Sequence, residues 1–246
     1  MKAVLLGATK GIGRALARLM AERGDAVFLL GRDLEALQKS ARDLELRSDR
    51  GVEVGVAHCD LEHPMSYALA LEAADKALDG FDAVVVTAGS FATQEKLEAD
   101  PGLLARVLDA NFRGTILFCE AVRKRLLARG GGTLCVFSSV AGERGRKPVG
   151  LYGATKAGLS HYLESLDHKY RAAGLRTVCI KPGFVKTSMT AGLPVPPFAS
   201  EPEAVARVAL RAIDRGTPAV YAPPIWALIM LVIRSLPRAV MRRVGF

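Results

Sequence analysis

Tyr152 and Lys156 stand four residues apart in a stretch of helix-like composition, so their side chains fall on one face. A phenol keeps its proton until about pH 10 and is idle as an acid or base at neutrality. A neighbouring ammonium stabilises the phenolate and brings that proton into play. Ser139 lies thirteen residues before Tyr152, just after the apolar run Leu134–Phe137. A hydroxyl at a strand end is placed to hydrogen-bond an oxygen on which negative charge develops. Together the three suit proton transfer to a carbonyl oxygen. The Tyr-Lys pair alone also fits an ordinary helix surface, so the surrounding elements decide.

A second chemical feature lies at the front of the chain, in Gly7-Ala8-Thr9-Lys10-Gly11-Ile12-Gly13. It falls between the apolar run Ala3–Leu6 and a helical pattern over Ile12–Glu22, with Gly24 as its stop. Glycines let the backbone approach a pyrophosphate, and the following helix offers unpaired N–H groups and a positive dipole end. This is the strand-turn-helix setting of a dinucleotide site. The next strand, Ala26–Leu30, ends Leu30-Gly31-Arg32. An acid there would select NAD(H) through the ribose hydroxyls; none is present. Arg32 and Lys10 can instead meet a 2′-phosphate, so the expected cofactor is NADP(H). Asp33 is assigned to capping the helix that follows.

Positioning such groups needs a sheet. Short apolar runs alternate with helical stretches: Val52–Ala57, Ala83–Val86, Thr133–Phe137, Arg176–Ile180 and Ala219–Tyr221 read as strands. Helices are expected over Tyr67–Leu78, along the face Leu34, Leu37, Ala41 and Leu44, and over Ala204–Ile213 with Ser200 and Glu203 as a capping box. Near-continuous apolar strands belong to a sheet covered on both faces. The expectation is α/β: a single-domain Rossmann-type doubly wound parallel sheet of about seven strands with helices on both faces. Residues 1–222 form that domain, and 223–246 form an apolar and basic extension.

Composition narrows the function classes. The 246 residues carry 34 Lys+Arg against 25 Asp+Glu, a formal charge of +9, and half are apolar. Of that excess, +4 sits in residues 223–246. A nucleic-acid groove would need basic residues interleaved with stacking aromatics. Aromatics are 6% and the basic tail adjoins an apolar run, so nucleic acid is excluded as a partner. The apolar run Ile225–Ile233 is too short to span a bilayer, which takes roughly 20 residues. Cys59, Cys119, Cys135 and Cys179 are scattered, without ligand spacing, and read as reduced core thiols rather than a metal site. With no leader pattern at the front, a cytoplasmic protein is expected.

In this order and spacing the motifs resemble the short-chain dehydrogenase/reductase family over residues 2–222. They are Gly7-x-x-x-Gly11-x-Gly13, Asp60-Leu61, Ala88-Gly89, Asn111, Ser139, Tyr152-x-x-x-Lys156, and Pro182-Gly183 with Thr187. The resemblance implies hydride transfer between a nicotinamide and a carbonyl carbon, with Asn111, Ser139, Tyr152 and Lys156 catalytic. It implies a cofactor site of Gly7, Thr9, Lys10, Gly11, Ile12, Gly13, Arg32, Asp60, Leu61, Ala88, Gly89, Tyr152, Lys156, Pro182, Gly183, Val185 and Thr187. Asp60 would bond the adenine, Thr187 the carboxamide, and Asn111 a water in a proton relay through Lys156. A homodimer or homotetramer is also implied. Two positions depart from the family: Leu6 where Thr is usual, and Thr87 where Asn is usual. A non-catalytic dinucleotide sensor or scaffold on the same fold is the alternative, although it would not need Ser139, Tyr152 and Lys156 together.

The substrate is less clearly written. Residues 188–198 are Gly- and Pro-rich with apolar side chains, in the manner of a lid over a greasy ligand. Glu143-Arg144-Gly145-Arg146-Lys147 fits either a phosphate-bearing substrate or a solvated loop. Residues 138–144 and 182–193 are also similar to the polyprenylphosphoryl 2-keto-pentose reductases, a branch that works at membranes. That likeness implies a small-molecule or lipid-linked carbonyl substrate. In the tail, Arg234, Arg238 and Arg242 would form one cationic stripe along a helix, with Pro237 as a potential kink. Such a segment, 225–243, suits peripheral contact with the inner face of a membrane, or docking on the domain or a second subunit.

Overall fold

The computed structural model describes residues 1–48 and 53–245. Its strands are β1 (Lys2–Leu6), β2 (Ala26–Gly31), β3 (Gly55–His58), β4 (Ala83–Val86), β5 (Gly132–Phe137), β6 (Leu175–Pro182) and β7 (Ala219–Ala222). They form one parallel sheet in the order β3-β2-β1-β4-β5-β6-β7. Val52, where the third strand was expected to begin, lies outside the described residues. The chain first builds outward from β1 through β2 to β3, then returns to β4 on the other side. The β1/β4 boundary is therefore the switch point, where crossovers diverge and leave a crevice beyond the strand ends.

The helices are α1 (Gly11–Glu22), α2 (Leu34–Glu45), α3 (Ser66–Leu78), α4 (Gln94–Ala99), α5 (Pro101–Leu108), α6 (Thr115–Ala128), α7 (Gly150–Tyr170), α8 (Pro202–Arg215), α9 (Ile225–Ser235) and α10 (Arg238–Arg243). Side chains alternate across a strand, so each strand feeds two cores. Ala3 and Leu5 of β1 pack with α1, α2 and α8, while Val4 and Leu6 face α3, α6 and α7. Burying each such large side chain contributes roughly 1.5–3 kcal/mol, which is why near-continuous apolar runs mark these strands. Asp33 caps α2 by accepting from the Ala36 N–H at 3.0 Å. Leu37, Ala41 and Leu44 are buried as expected, but Leu34, in the first turn of α2, is exposed. All four cysteines are free and buried.

Two local expectations are corrected. Ser200 does not cap the helix at Ala204: α8 begins at Pro202, whose fixed φ suits the first helical position, with Glu201 at the cap. The Ser200 backbone is committed elsewhere, bonding Phe184 and Lys186 in a bridge beside Val185. The arginines of the tail do not form one stripe either. The helix ends at Ser235 and restarts at Arg238, because Pro237 supplies no N–H to continue it. No described helix is long and apolar enough to cross a membrane.

Candidate active site

The crevice beyond the C-terminal ends of β1, β4, β5 and β6 is one cleft of about 1230 Å³. Every residue expected to hold the cofactor lines it, as do Ser139, Tyr152 and Lys156. Asn111 does not. It sits fully buried behind the wall, in a π-helical turn at Asp109–Gly114 between α5 and α6.

At the β1 end the backbone makes a cradle. Gly7 has φ +98°, and a Cβ there would overlap the backbone of Ala88; a Cβ on Gly13 would strike the Gly7 carbonyl. Thr87 braces the same turn, its hydroxyl donating to the Gly7 carbonyl at 3.0 Å. This is what a Thr can supply at the position where Asn is usual. Lys10 occupies the cap of α1 and gives its first-turn N–H groups no side-chain acceptor. Missing Cβ atoms and free donors at a dipole's positive end suit a pyrophosphate. Beyond it, Arg32 reaches Glu62 at 3.2 Å across the cleft rim. Asp60 accepts from the Glu62 N–H at 3.0 Å and contacts His63 at 3.0 Å. Burial opposes the Asp60 charge, but those partners and Arg32 still hold its carboxyl below the usual range.

At the other end, β5 and α7 are locked together. The Ser138 hydroxyl donates to the Lys156 carbonyl at 2.8 Å and meets the Ser160 hydroxyl at 2.8 Å. The Lys156 ammonium donates to the Phe137 carbonyl at 3.0 Å and lies 5.8 Å from the centre of the Tyr152 ring. Phe91 packs edge-on against Tyr152 at 5.0 Å. Ser139 follows β5, and its hydroxyl accepts from the Ala141 N–H at 3.1 Å. Burial pushes the Tyr152 phenol up to about 12, a rise that the nearby Ser139 hydroxyl partly offsets. Burial also pushes the Lys156 ammonium down to about 8. The Asn111 amide clamps Ser90, accepting from its N–H and donating to its carbonyl, both at 2.7 Å. A Cβ on Gly89 would lie 3.1 Å from Asn111 Oδ1 and 3.6 Å from Lys156 Nζ, so both side chains converge over that residue.

A switch-point cleft with a glycine cradle at one end and a Ser-Tyr-Lys wall at the other matches a known pattern. The sequence profile described as short chain dehydrogenase matches residues 1–195. The chain belongs to that family. It is 34% identical over 227 residues to an uncharacterized oxidoreductase of Myxococcus xanthus, covering 92% of this chain and 88% of that one. It is 32% identical over 191 residues to carbonyl reductase family member 4 of Danio rerio, covering 78% of each. In fold it is similar to a short-chain dehydrogenase from Sphingobium yanoikuyae in complex with NADPH. The TM-score is 0.81 at 24% identity, over 97% of this chain and 98% of that one. Short-chain dehydrogenases are oxidoreductases that use a nicotinamide dinucleotide.

In this short-chain dehydrogenase the cleft has a wall that the motifs do not mark. Trp226, Ile229 and Ile233 of α9 line it beside Phe184 and Phe198. Positions 226, 229 and 233 share one helical face, a signal present in the apolar run but mute about what the face packs on. Behind them Glu143 ties α9 to the sheet: its buried carboxylate meets Lys181 at 2.7 Å, the Tyr221 hydroxyl at 2.7 Å and Arg234 at 3.3 Å.

Proposed function

We propose that this chain interconverts a ketone and a secondary alcohol with NADP(H), in preference to NAD(H), on an apolar or lipid-linked skeleton. The observation that carries this reading is Ser139, Tyr152 and Lys156 on one wall of the cleft that begins at the glycine cradle. The cradle with Asp60, Leu61, Ala88, Pro182, Val185 and Thr187 would hold the dinucleotide, which when bound would supply the hydride chemistry at the carbon. Tyr152 gives its proton to the carbonyl oxygen and Ser139 hydrogen-bonds that oxygen as charge develops. Lys156, a cation within the same wall, favours the phenolate that remains. Asn111, converging with Lys156 over Gly89, holds the relay that returns the proton.

NADP(H) is supported by Gly31 at the end of β2, by Asp33 being spent on a helix cap, and by Lys10 and Arg32 on the cleft. The Sphingobium enzyme, solved in complex with NADPH, is consistent with that preference. An apolar substrate is supported by Met189, Leu193 and Phe198 of the loop after β6, which line the same cleft as Trp226, Ile229 and Ile233 of α9. We place the protein in the cytoplasm as a homodimer or homotetramer, with residues 223–246 as an accessory segment. Leu228, Leu231 and Val232 point outward from α9, each more than half exposed, next to Arg238, Arg242 and Arg243. That combination supports peripheral contact with an anionic membrane through 225–243.

The test is consumption of NADPH, against NADH, with a panel of ketones, aldehydes, acyl thioesters and keto-sugars. Ketone-dependent oxidation that is faster with NADPH supports the reading. Turnover of none of them points to the sensor alternative, and a lower KM for NADH overturns the cofactor assignment. Sedimentation with anionic vesicles, full chain against a truncation after Ala222, tests the membrane contact; equal binding removes it.

A further inference from the structure

The basic run between Ser139 and Tyr152 is not a uniformly solvated loop. Glu143 is paired as described, the Arg144 guanidinium donates to the Leu236 carbonyl at 2.8 Å, and the Lys147 ammonium donates to the Arg242 carbonyl at 2.7 Å. These contacts pin the loop to α9 and α10. Arg146 is different. It lines the cleft together with Pro148 and Val149, and its Nε is buried without an acceptor among the described residues. Asp60, Glu62 and Glu95 line the same cleft, but none forms an ion pair with Arg146. Burial lowers its affinity for the proton and no carboxylate offsets that loss. A half-buried guanidinium whose Nε is buried without an acceptor is costly unless an anion completes it, and its donor fork matches carboxylate and phosphate. Among the described residues the other side-chain N–H buried without an acceptor is Nε1 of Trp226, a residue that lines the same cleft.

We infer that Arg146 is a specificity residue that binds an anionic group, phosphate or carboxylate, on the carbonyl substrate. This rests on the reading of the cleft as a carbonyl-reducing site. The substrate class is then amphipathic: a carbonyl near Tyr152, an oxyanion at Arg146, and an apolar remainder against Trp226, Ile229 and Phe198.

The experiment reads binding rather than turnover. Full-length protein saturated with NADPH is titrated calorimetrically with decyl phosphate, decanoate, decanol and inorganic phosphate, in wild type, Arg146→Met and Arg146→Lys. The anionic chains are expected to bind wild type roughly tenfold or more tighter than decanol. Arg146→Met should abolish that preference while leaving decanol and NADPH affinities unchanged, and Arg146→Lys should keep part of it. Equal affinity for decanol and the anionic chains overturns the inference. So does a preference that survives Arg146→Met, a loss of NADPH affinity in that variant, or inorganic phosphate binding as tightly as decyl phosphate. Because no turnover is needed, failure of the reductase reading would appear separately, as intact anion binding without NADPH oxidation.

Discussion

Gly183, just beyond β6, lies against the indole of Trp226 in α9, so closely that a Cβ on residue 183 would overlap the ring. A residue proposed to hold the cofactor and a residue of the C-terminal segment thus share one contact. Gly183→Ala should force α9 away from the cleft, costing about 1–3 kcal/mol as overpacking does. Thermal denaturation reads the loss, and KM for apolar ketones should rise more than KM for NADPH. An unchanged Tm would show that α9 is not seated on Gly183.

Tyr152→Phe removes the proposed proton donor from the cleft. Turnover should fall by roughly 10²–10⁴, with the Kd for NADPH unchanged by fluorescence titration. A variant that keeps most of its rate would exclude Tyr152 as the proton donor.

Lys156 carries a stability cost as well as a role. Its folded pKa, about 8, lies below the ordinary lysine value of 10.5, so the unfolded chain binds its proton more tightly. The penalty is fully present below pH 8 and is relieved as pH rises toward 10.5. Lys156→Met should therefore be inactive yet more stable at neutral pH, by up to roughly 3 kcal/mol. Denaturation midpoints across pH should show that gain shrinking above pH 8.

Arg32→Ala should weaken NADPH binding about tenfold or more while leaving NADH nearly unaffected, because only the former carries a 2′-phosphate for the guanidinium to meet. Added salt should narrow the difference. Equal losses for both dinucleotides would remove Arg32 from cofactor selection.

Glu143 is the ionic tie between α9 and the sheet. Burial works against its charge, but Lys181, Tyr221 and Arg234 together hold its carboxyl below the usual value of 4.5. Its contribution is present above that value and lost in acid as pH falls through the folded one. Glu143→Gln strands Lys181 in a mostly buried site and should cost about 3 kcal/mol at neutral pH. Urea unfolding should show the deficit narrowing below about pH 4.5.

Much of this was legible in one dimension. Strands such as Ala83–Val86 are local apolar runs, and Gly7-x-x-x-Gly11-x-Gly13 sits at a strand-helix junction that sequence order alone reveals. The family follows from those motifs, and the doubly wound sheet follows from the alternation of elements. What sequence could not determine is where chain-distant groups meet. Ser200 looked like a cap because spacing carries no news of Val185, its bridge partner across a loop. The arginines of the tail looked like a stripe until Pro237 broke the helix and Glu143 claimed Arg234. The basic run 143–147 read as one charge cluster, and only tertiary contacts separated three satisfied side chains from Arg146. Local propensity and periodicity set the elements; burial and pairing between remote segments decided which charges are spent on the fold and which face the cleft.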